Sequence, residues 1–189
     1  MSRFRVVVIG CSLGGFNALS VVLAALPRDF NLPIVVAQHR SSVAQDLALA
    51  LARVSVLPVR DAEDKELLQP GHVLLAPAGY HLLIQKDRVA LSTDLPVSYA
   101  RPSIDVLFES AVSSFEHAVL GIALTCSNHD GVEGARKIER AGGMMLVQDP
   151  ATAEADVLPR QVLAVTKRSR TLNLHEIAAT MAAFAGGGL

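Results

Sequence analysis

The sequence is poor in cysteine and in net charge, and each shortage excludes a class of protein. Its two cysteines, Cys11 and Cys126, are too few for the disulfide framework of a small secreted domain. The 17 basic residues nearly balance the 18 acidic ones, so no excess charge favours nucleic acid or an anionic membrane surface. No apolar run is long enough to span a bilayer, and the run before Gly10 is too short for a signal peptide. We therefore expect a cytoplasmic protein that neither binds nucleic acid nor inserts into membranes.

Aromatic residues are scarce as well, at 4%, and tryptophan is absent. Hydrophobic residues nevertheless make up 51% of the chain, so its core must consist mainly of alanine, valine, leucine and isoleucine. Such a core is typical of a parallel sheet covered by helices on both faces. The 189 residues suit a single domain over 1–189, and no linker divides them.

Apolar periodicity predicts alternating strands and helices. Short β-branched or buried runs predict strands over residues 6–9, 33–37, 54–59, 118–124 and 144–147. Helical spacing predicts helices over residues 16–25, 44–52, 103–115, 131–141, 158–165 and 175–184, with Ser103 as an N-cap. The alternation indicates a doubly wound, mostly parallel, Rossmann-like α/β sheet.

The middle of the chain departs from this alternation. Residues 71–76 and 81–84 flank a turn at 77–80, and a further short run follows at 89–91. This pattern predicts short strands linked by hairpins, forming an antiparallel edge on the sheet.

A glycine-rich turn, GCSLGG at residues 10–15, joins the first strand to the first helix. A G-x-S-x-G turn can present a serine hydroxyl as a nucleophile, whereas G-x-G-x-x-G binds the pyrophosphate of a dinucleotide. Serine at position 12 favours the nucleophile. The second strand ends in Gln38-His39-Arg40, without the acidic residue that a dinucleotide site needs. A purely structural, helix-capping role for Ser12 stays open.

Two further residues complete a possible catalytic set with Ser12. His39 follows the second strand, at the sheet edge where Ser12 emerges, so it is placed to act as a base rather than as an ordinary surface histidine. Asp130 lies in the polar loop after the strand over 118–124, across the switch-point crevice from Ser12. It is placed to orient the base, or else to cap the next helix. A zinc site from Cys11, Cys126, His39 and His129 is also conceivable, but the spacing matches no zinc motif, and we expect no metal.

Taken in order, these segments resemble the catalytic domain of the chemotaxis protein-glutamate methylesterases, the CheB family. The resemblance runs from Val6 to about Phe184. The matching segments are residues 8–15, 37–39, 62–64, 71–73, 76–81, 101–108, 124–125, 130–131, 148–149 and 158–160.

The resemblance implies a serine hydrolase with Ser12 as nucleophile, His39 as base and Asp130 as orienting carboxylate. It implies hydrolysis of glutamate methyl esters on chemoreceptors, deamidation of certain glutamines there, and no cofactor or metal. The chain starts directly at the first strand of such a domain, so we expect no receiver domain. Arg101 is expected at the cleft rim, either contacting the substrate protein or held in a structural salt bridge.

The chain departs from the family pattern at the loop before Asp130. The family usually has Thr-Gly-Met-Gly there, whereas this sequence reads Thr125-Cys126-Ser127-Asn128, followed by His129. In the family the methionine of this loop helps to form the oxyanion site, and Ser127 takes its position. The alternative function is therefore a catalytically impaired, CheB-like regulatory or binding module.

Overall fold

The computed structural model describes residues 2–40 and 47–186. Its strands are β1 (Val6–Cys11), β2 (Ile34–Gln38), β3 (Val59–Asp61), β4 (Val73–Leu75), β5 (His81–Gln85), β6 (Arg88–Ser92), β7 (Val119–Ala123), β8 (Met144–Gln148) and β9 (Arg170–Leu172). Its helices are α1 (Gly15–Ala24), α2 (Leu47–Ala52), α3 (Ile104–Phe115), α4 (Val132–Arg140), α5 (Val157–Val165) and α6 (Leu174–Ala185).

The main sheet has seven parallel strands in the order β3-β4-β2-β1-β7-β8-β9. Its central strand β1 is fully buried, and successive side chains alternate between two apolar cores. Helices α1, α2 and α6 cover one face, and α3, α4 and α5 cover the other. These features confirm the predicted doubly wound α/β fold. Within the described ranges, no helix is long and apolar enough to cross a bilayer.

The winding reverses at β1. The chain leaves β1 for β2 on one side, and β7 later pairs with β1 on the other side. The carboxyl ends of these three parallel strands therefore meet at one crevice, which is where ligands bind in open α/β sheets. The loops after β1, β2 and β7 carry Ser12, His39 and Asp130 respectively.

The antiparallel pair is a separate small sheet and not an edge of the main one. Strands β5 and β6 pair with each other, from His81 opposite Ser92 to Gln85 opposite Arg88. They lie against α3, whose Ser110 and Ser114 exchange hydrogen bonds with the backbone of Ile84. The prediction that residues 71–76 belong to this antiparallel segment is wrong, because β4 runs parallel between β2 and β3.

Both edges of the main sheet differ from the sequence prediction. The strand predicted over 54–59 is wrong except at its last residue, since β3 starts at Val59, and Val54 and Val56 are exposed. The other edge strand, β9, was not predicted. The predicted helix over 44–52 is present as α2 from Leu47, and residues 44–46 lie outside the described part of the chain.

Helix α3 begins directly against the end of β1. A Cβ atom added at Gly10 would lie 2.3 Å from Cγ2 of Ile104, and one added at Gly131 would lie 2.6 Å from the same atom. Glycine at both positions therefore lets the first residue of α3 reach the crevice. This close approach brings the N-terminus of α3, with its free N–H groups, next to the loop that carries Asp130.

Candidate active site

Ser12 lies at the tip of a tight turn between β1 and α1. Its backbone N–H donates to the carbonyl of Thr125 at 2.9 Å, and its carbonyl accepts from the N–H of Gly15 at 2.8 Å. Gly14 adopts a left-handed conformation with φ 77°, which favours glycine. Ser12 is half-buried and Leu13 is 53% exposed. The serine is thus held by its backbone, with its side chain at the edge of the crevice.

The same turn does not fit a dinucleotide phosphate. A Cβ atom added at Gly14 would lie 2.7 Å from both Cβ and Oε2 of Glu154, so this side chain fills the space beside the turn. A carboxylate there would repel a pyrophosphate at the N-terminus of α1. At the end of β2, Arg40 donates to Asp61 Oδ1 at 2.5 Å, and no acidic residue takes the ribose-binding position. These contacts speak against nucleotide binding.

His39 and Asp130 meet as the sequence predicts for a base and its orienting carboxylate. The backbone N–H of His39 donates to the carbonyl of Cys11 at 3.0 Å, which fixes the residue beside the Ser12 turn. Its ring Nε2 lies 2.7 Å from Oδ2 of Asp130. The histidine side chain is 13% exposed and the aspartate side chain is fully buried. This contact connects the ends of β2 and β7 across the crevice.

Asp130 does not cap the helix that follows it. The N-cap of α4 is Gly131, with no side-chain hydrogen bond, so the helix-cap alternative is wrong. The Asp130 carboxylate instead lies at the N-terminus of α3. It accepts from the Ser103 hydroxyl at 2.7 Å and from the backbone N–H groups of Ile104 at 2.7 Å and Asp105 at 3.1 Å.

These contacts set the charge state of the carboxylate. Burial alone would raise the pKa of Asp130, but the hydrogen bonds from His39, Ile104, Ser103 and Asp105 outweigh it and lower that pKa below the ordinary value. Asp130 is therefore ionised over the whole neutral range.

The nucleophile and the base are close in the fold but not hydrogen-bonded. Within the described residues, no hydrogen bond joins the Ser12 hydroxyl to His39. Ring Nε2 faces Asp130, and ring Nδ1 has Asn128 Nδ2 at 3.5 Å. Contacts of this kind are often loose in an empty site and tighten when substrate binds.

The environment of His39 favours its protonated form. Burial alone would lower the pKa of His39, but the contacts with Asp130 and with Cys126 outweigh it and raise the pKa from 6.5 to about 9. At neutral pH the side chain is therefore mostly an imidazolium paired with a carboxylate. A general base must be neutral to accept a proton.

We expect ester hydrolysis to increase with pH because of this shift. If His39 is the base, kcat/KM should rise about tenfold per pH unit below its pKa and level off above pH 9 or so. Initial rates between pH 6 and pH 10, with unfolding followed at each pH, would measure this profile. A plateau already reached below pH 7 would contradict it.

Two buried residues support Asp130 and were not assigned to the site from the sequence. Ser103 is the predicted N-cap of α3, which is confirmed, since its hydroxyl accepts from the N–H of Val106 at 3.3 Å. The same hydroxyl donates to Asp130. His81 donates from Nε2 to the carbonyl of Leu95, so its Nδ1 accepts from the N–H of Ser103 at 3.2 Å. A serine directly before a helical run predicts the cap, but nothing in the sequence connects position 81 with position 103.

The altered loop before Asp130 is well anchored at its start. The backbone of Cys126 bonds to Ala155 and Leu158, and its side chain is fully buried. Ser127 and His129 are exposed. The start of the loop is therefore held by backbone hydrogen bonds, which do not depend on the side chain at position 126.

The alternative metal site is not formed. Cys11 packs in the core that contains α1, and Cys126 packs in the core that contains α3, so the two thiols belong to different cores. Burial and the nearby Cys126 sulfur raise the pKa of Cys11 far above the ordinary value, which disfavours a thiolate ligand. Across residues 2–40 and 47–186, no three histidine, cysteine or carboxylate side chains cluster as metal ligands would.

A cleft of about 330 Å³ opens beside the histidine and is lined by His39, Arg40, Tyr99, Ala100, Arg101 and Asn128. Arg101 reaches this rim as predicted. Instead of the structural salt bridge considered for it, the guanidinium forms hydrogen bonds with backbone carbonyl groups. Its Nη1 donates to the carbonyls of Thr93 and Asp94 at 2.8 and 2.9 Å. Tyr99 is fully exposed at the tip of the loop that Arg101 holds.

Comparisons with known proteins show one family over nearly the whole chain. A family model described as CheB methylesterase matches residues 7–181. A relative from Leptospira interrogans is 40% identical over 178 residues, covering 93% of this chain and 92% of that protein. The protein-glutamate methylesterase/protein-glutamine glutaminase of Maricaulis maris is 38% identical over 99% of this chain, which spans 48% of that protein. The crystal structure of the Thermotoga maritima CheB methylesterase catalytic domain superposes with a TM-score of 0.89 at 30% identity, covering 95% of this chain and 97% of that one.

Proposed function

The chain belongs to the CheB methylesterase family, and from that premise we propose that Ser12, His39 and Asp130 form the catalytic triad of a protein-glutamate methylesterase. The observation that carries the proposal is the 2.7 Å contact between His39 and a fully buried Asp130, directly beside the Ser12 turn. Such a contact orients the imidazole and stabilises it once it is protonated.

In the proposed reaction, the Ser12 hydroxyl oxygen attacks the ester carbonyl carbon and its proton passes to Nδ1 of His39. This nitrogen is the one available, because Nε2 faces Asp130. The imidazolium then returns the proton to the leaving methoxide, and methanol departs. Water, deprotonated by the same nitrogen, hydrolyses the acyl-enzyme to free glutamate and restores Ser12. Ser12 supplies the nucleophile, His39 acts as base and then as acid, and Asp130 orients His39, so the proposal includes no cofactor.

The oxyanion of the tetrahedral intermediate needs N–H donors close to Ser12. We assign this role to the backbone N–H groups of Leu13, the residue after the nucleophile, and of Ser127. Neither N–H has a hydrogen-bond acceptor in the described part of the chain. A backbone donor survives a change of side chain, so serine in place of the family methionine is compatible with catalysis. Loss of one such donor typically costs about 10²–10³ in turnover.

The proposed substrates are methylated glutamates of chemoreceptors, and glutamines at equivalent positions, in keeping with the names of the relatives. A side chain of a protein substrate can enter the cleft beside His39, whose mouth carries the exposed Tyr99. We propose the cytoplasm as the compartment, where the two free cysteines would stay reduced.

A fluorophosphonate probe would test the nucleophile directly. Such probes react with a serine hydroxyl that a nearby base activates, so we expect one covalent adduct on the native protein, mapped by peptide mass spectrometry to Ser12. Heat-unfolded protein should not react, because the triad is then dispersed. An inert native protein, or an adduct elsewhere, would contradict the proposal, and complete inertness would favour the non-catalytic module.

A further inference from the structure

The side chain of Asn128 contacts both the ring of His39 and the backbone of Asp130. Its side-chain Oδ1 accepts from the backbone N–H of Asp130 at 3.1 Å and from the thiol of Cys126 at 3.3 Å. Its Nδ2 lies 3.5 Å from Nδ1 of His39. The residue is half-buried and lines the cleft beside the histidine.

The orientation of this amide follows from its neighbours. A backbone N–H is always a donor, so the atom facing the N–H of Asp130 must be the amide oxygen. The other end of the amide, an NH₂ group, then faces Nδ1 of His39. An NH₂ group can only donate. It can therefore donate a hydrogen bond to Nδ1 when that nitrogen carries a lone pair. When Nδ1 carries a proton, two donors face each other and repel.

We propose that Asn128 is a positioning residue that opposes protonation of Nδ1 of His39, so that the neutral base able to take the Ser12 proton forms more readily than Asp130 alone would allow. The inference rests on the proposed function for its kinetic consequence. Asp130 on Nε2 stabilises the imidazolium, whereas Asn128 on Nδ1 stabilises the neutral ring. The two contacts together determine how readily His39 loses its proton and becomes the neutral base.

Other charged and titratable groups near His39 also affect its protonation. Asp130 and Cys126 face it from the loop after β7, and both raise its pKa. Arg40, Arg101 and Tyr99 line the same cleft. Asn128 Nδ2 lies 3.5 Å from Nδ1, and the Cys126 thiol, which also affects the His39 pKa, donates to Oδ1 of the same asparagine. Asn128 therefore contacts both Nδ1 and the group beside it.

The test uses Asn128→Ala and Asn128→Asp, with Asn31→Asp as the matched control. Asn31 is exposed just before β2, at the opposite end of that strand from His39, so its change adds the same charge far from the site. The His39 pKa is measured by NMR titration of the imidazole, which requires no turnover. It is then compared with the pH profile of kcat/KM.

We expect Asn128→Ala to raise the His39 pKa by about half to one unit, because the group opposing Nδ1 protonation is gone. Asn128→Asp should raise it by more than one unit, because a carboxylate accepts from Nδ1–H. Activity at pH 7 should then fall about 3- to 10-fold and more than 10-fold respectively, since one unit corresponds to tenfold. Asn128→Ala should recover most of its activity at pH 10, which damage to the fold would not allow.

An unchanged or lower His39 pKa in Asn128→Asp would overturn the proposal, as would an equal shift in Asn31→Asp. The outcome is separable from that of the proposed function. If the protein hydrolyses no ester but the pKa shifts as expected, the positioning role stands and the esterase proposal fails.

Discussion

Ser12→Ala is expected to lower kcat for methyl-ester hydrolysis by at least about 10⁴-fold, because removing a triad nucleophile leaves only the oxyanion donors and binding. The fold should be unaffected. The contacts that hold residue 12 come from its backbone N–H and carbonyl, and alanine keeps both. Methanol release from a glutamyl methyl ester peptide, with thermal unfolding followed in parallel, would measure both quantities.

The matched control for this change is Ser20→Ala. Ser20 lies in α1, a few residues along the chain, and its hydroxyl is buried without a hydrogen-bond partner among the described residues. Its loss should leave kcat within twofold of the wild type. If Ser12→Ala retained more than a tenth of the wild-type kcat, Ser12 would not be the nucleophile.

Asp130→Asn is expected to have two effects, since the carboxylate contacts both the base and a helix. The amide nitrogen would face a donor, either the His39 ring or the backbone of α3, so the base loses its orientation and kcat should fall about 10⁴-fold. One or two charge-assisted hydrogen bonds to Ser103 and α3 are lost as well. We therefore expect the free energy of unfolding to fall by about 1–3 kcal/mol.

The stability loss should depend on pH. The folded-state pKa of Asp130 lies below the ordinary 3.8, so its stabilisation is present above that value and disappears as pH falls through the folded pKa. The gap in stability between wild type and Asp130→Asn should therefore be constant well above pH 3.8 and narrow as the pH falls below it, as urea unfolding at pH 7 and at a series of pH values below 3.8 would measure.

Asp105→Asn serves as the comparison, because this neighbouring buried carboxylate accepts from the N–H of Gly134 and, in the part of the chain that the structure describes, forms no hydrogen bond with His39. It should destabilise the protein while kcat stays within threefold of the wild type. A kcat for Asp130→Asn within the same threefold would exclude Asp130 from the triad.

The sequence predicted the centre of the sheet well and its edges badly. Strands β1, β7 and β8 are buried on both faces, so they consist of continuous apolar runs that periodicity detects. The edge strands β3 and β9 have three residues each and are partly exposed, so they carry charged side chains and resemble loops. Residues 71–76 were misassigned because a turn between two apolar runs predicts a hairpin, whereas here the chain passes from one sheet to another.

The site shows the same division. The neighbourhood of Ser12, His39 and Asp130 could be predicted because the carboxyl ends of neighbouring parallel strands share one edge. The support by Ser103 and His81 and the contact made by Asn128 could not, because they depend on how side chains from α3, β5 and a loop meet in three dimensions. The spacing of residues along the sequence does not predict such contacts.

The position of Asp130 at the start of α3 also affects which site residues persist when a related protein loses catalysis. A lineage that gave up catalysis would lose selection on the Ser12 hydroxyl, which has no hydrogen-bond partner within residues 2–40 and 47–186. Selection for stability would still retain Asp130, because its carboxylate accepts three hydrogen bonds from Ser103 and the first turn of α3. In non-catalytic descendants the aspartate should therefore persist long after the serine has gone. In this family we therefore expect a change at position 12 to mark the loss of catalysis earlier than a change at position 130.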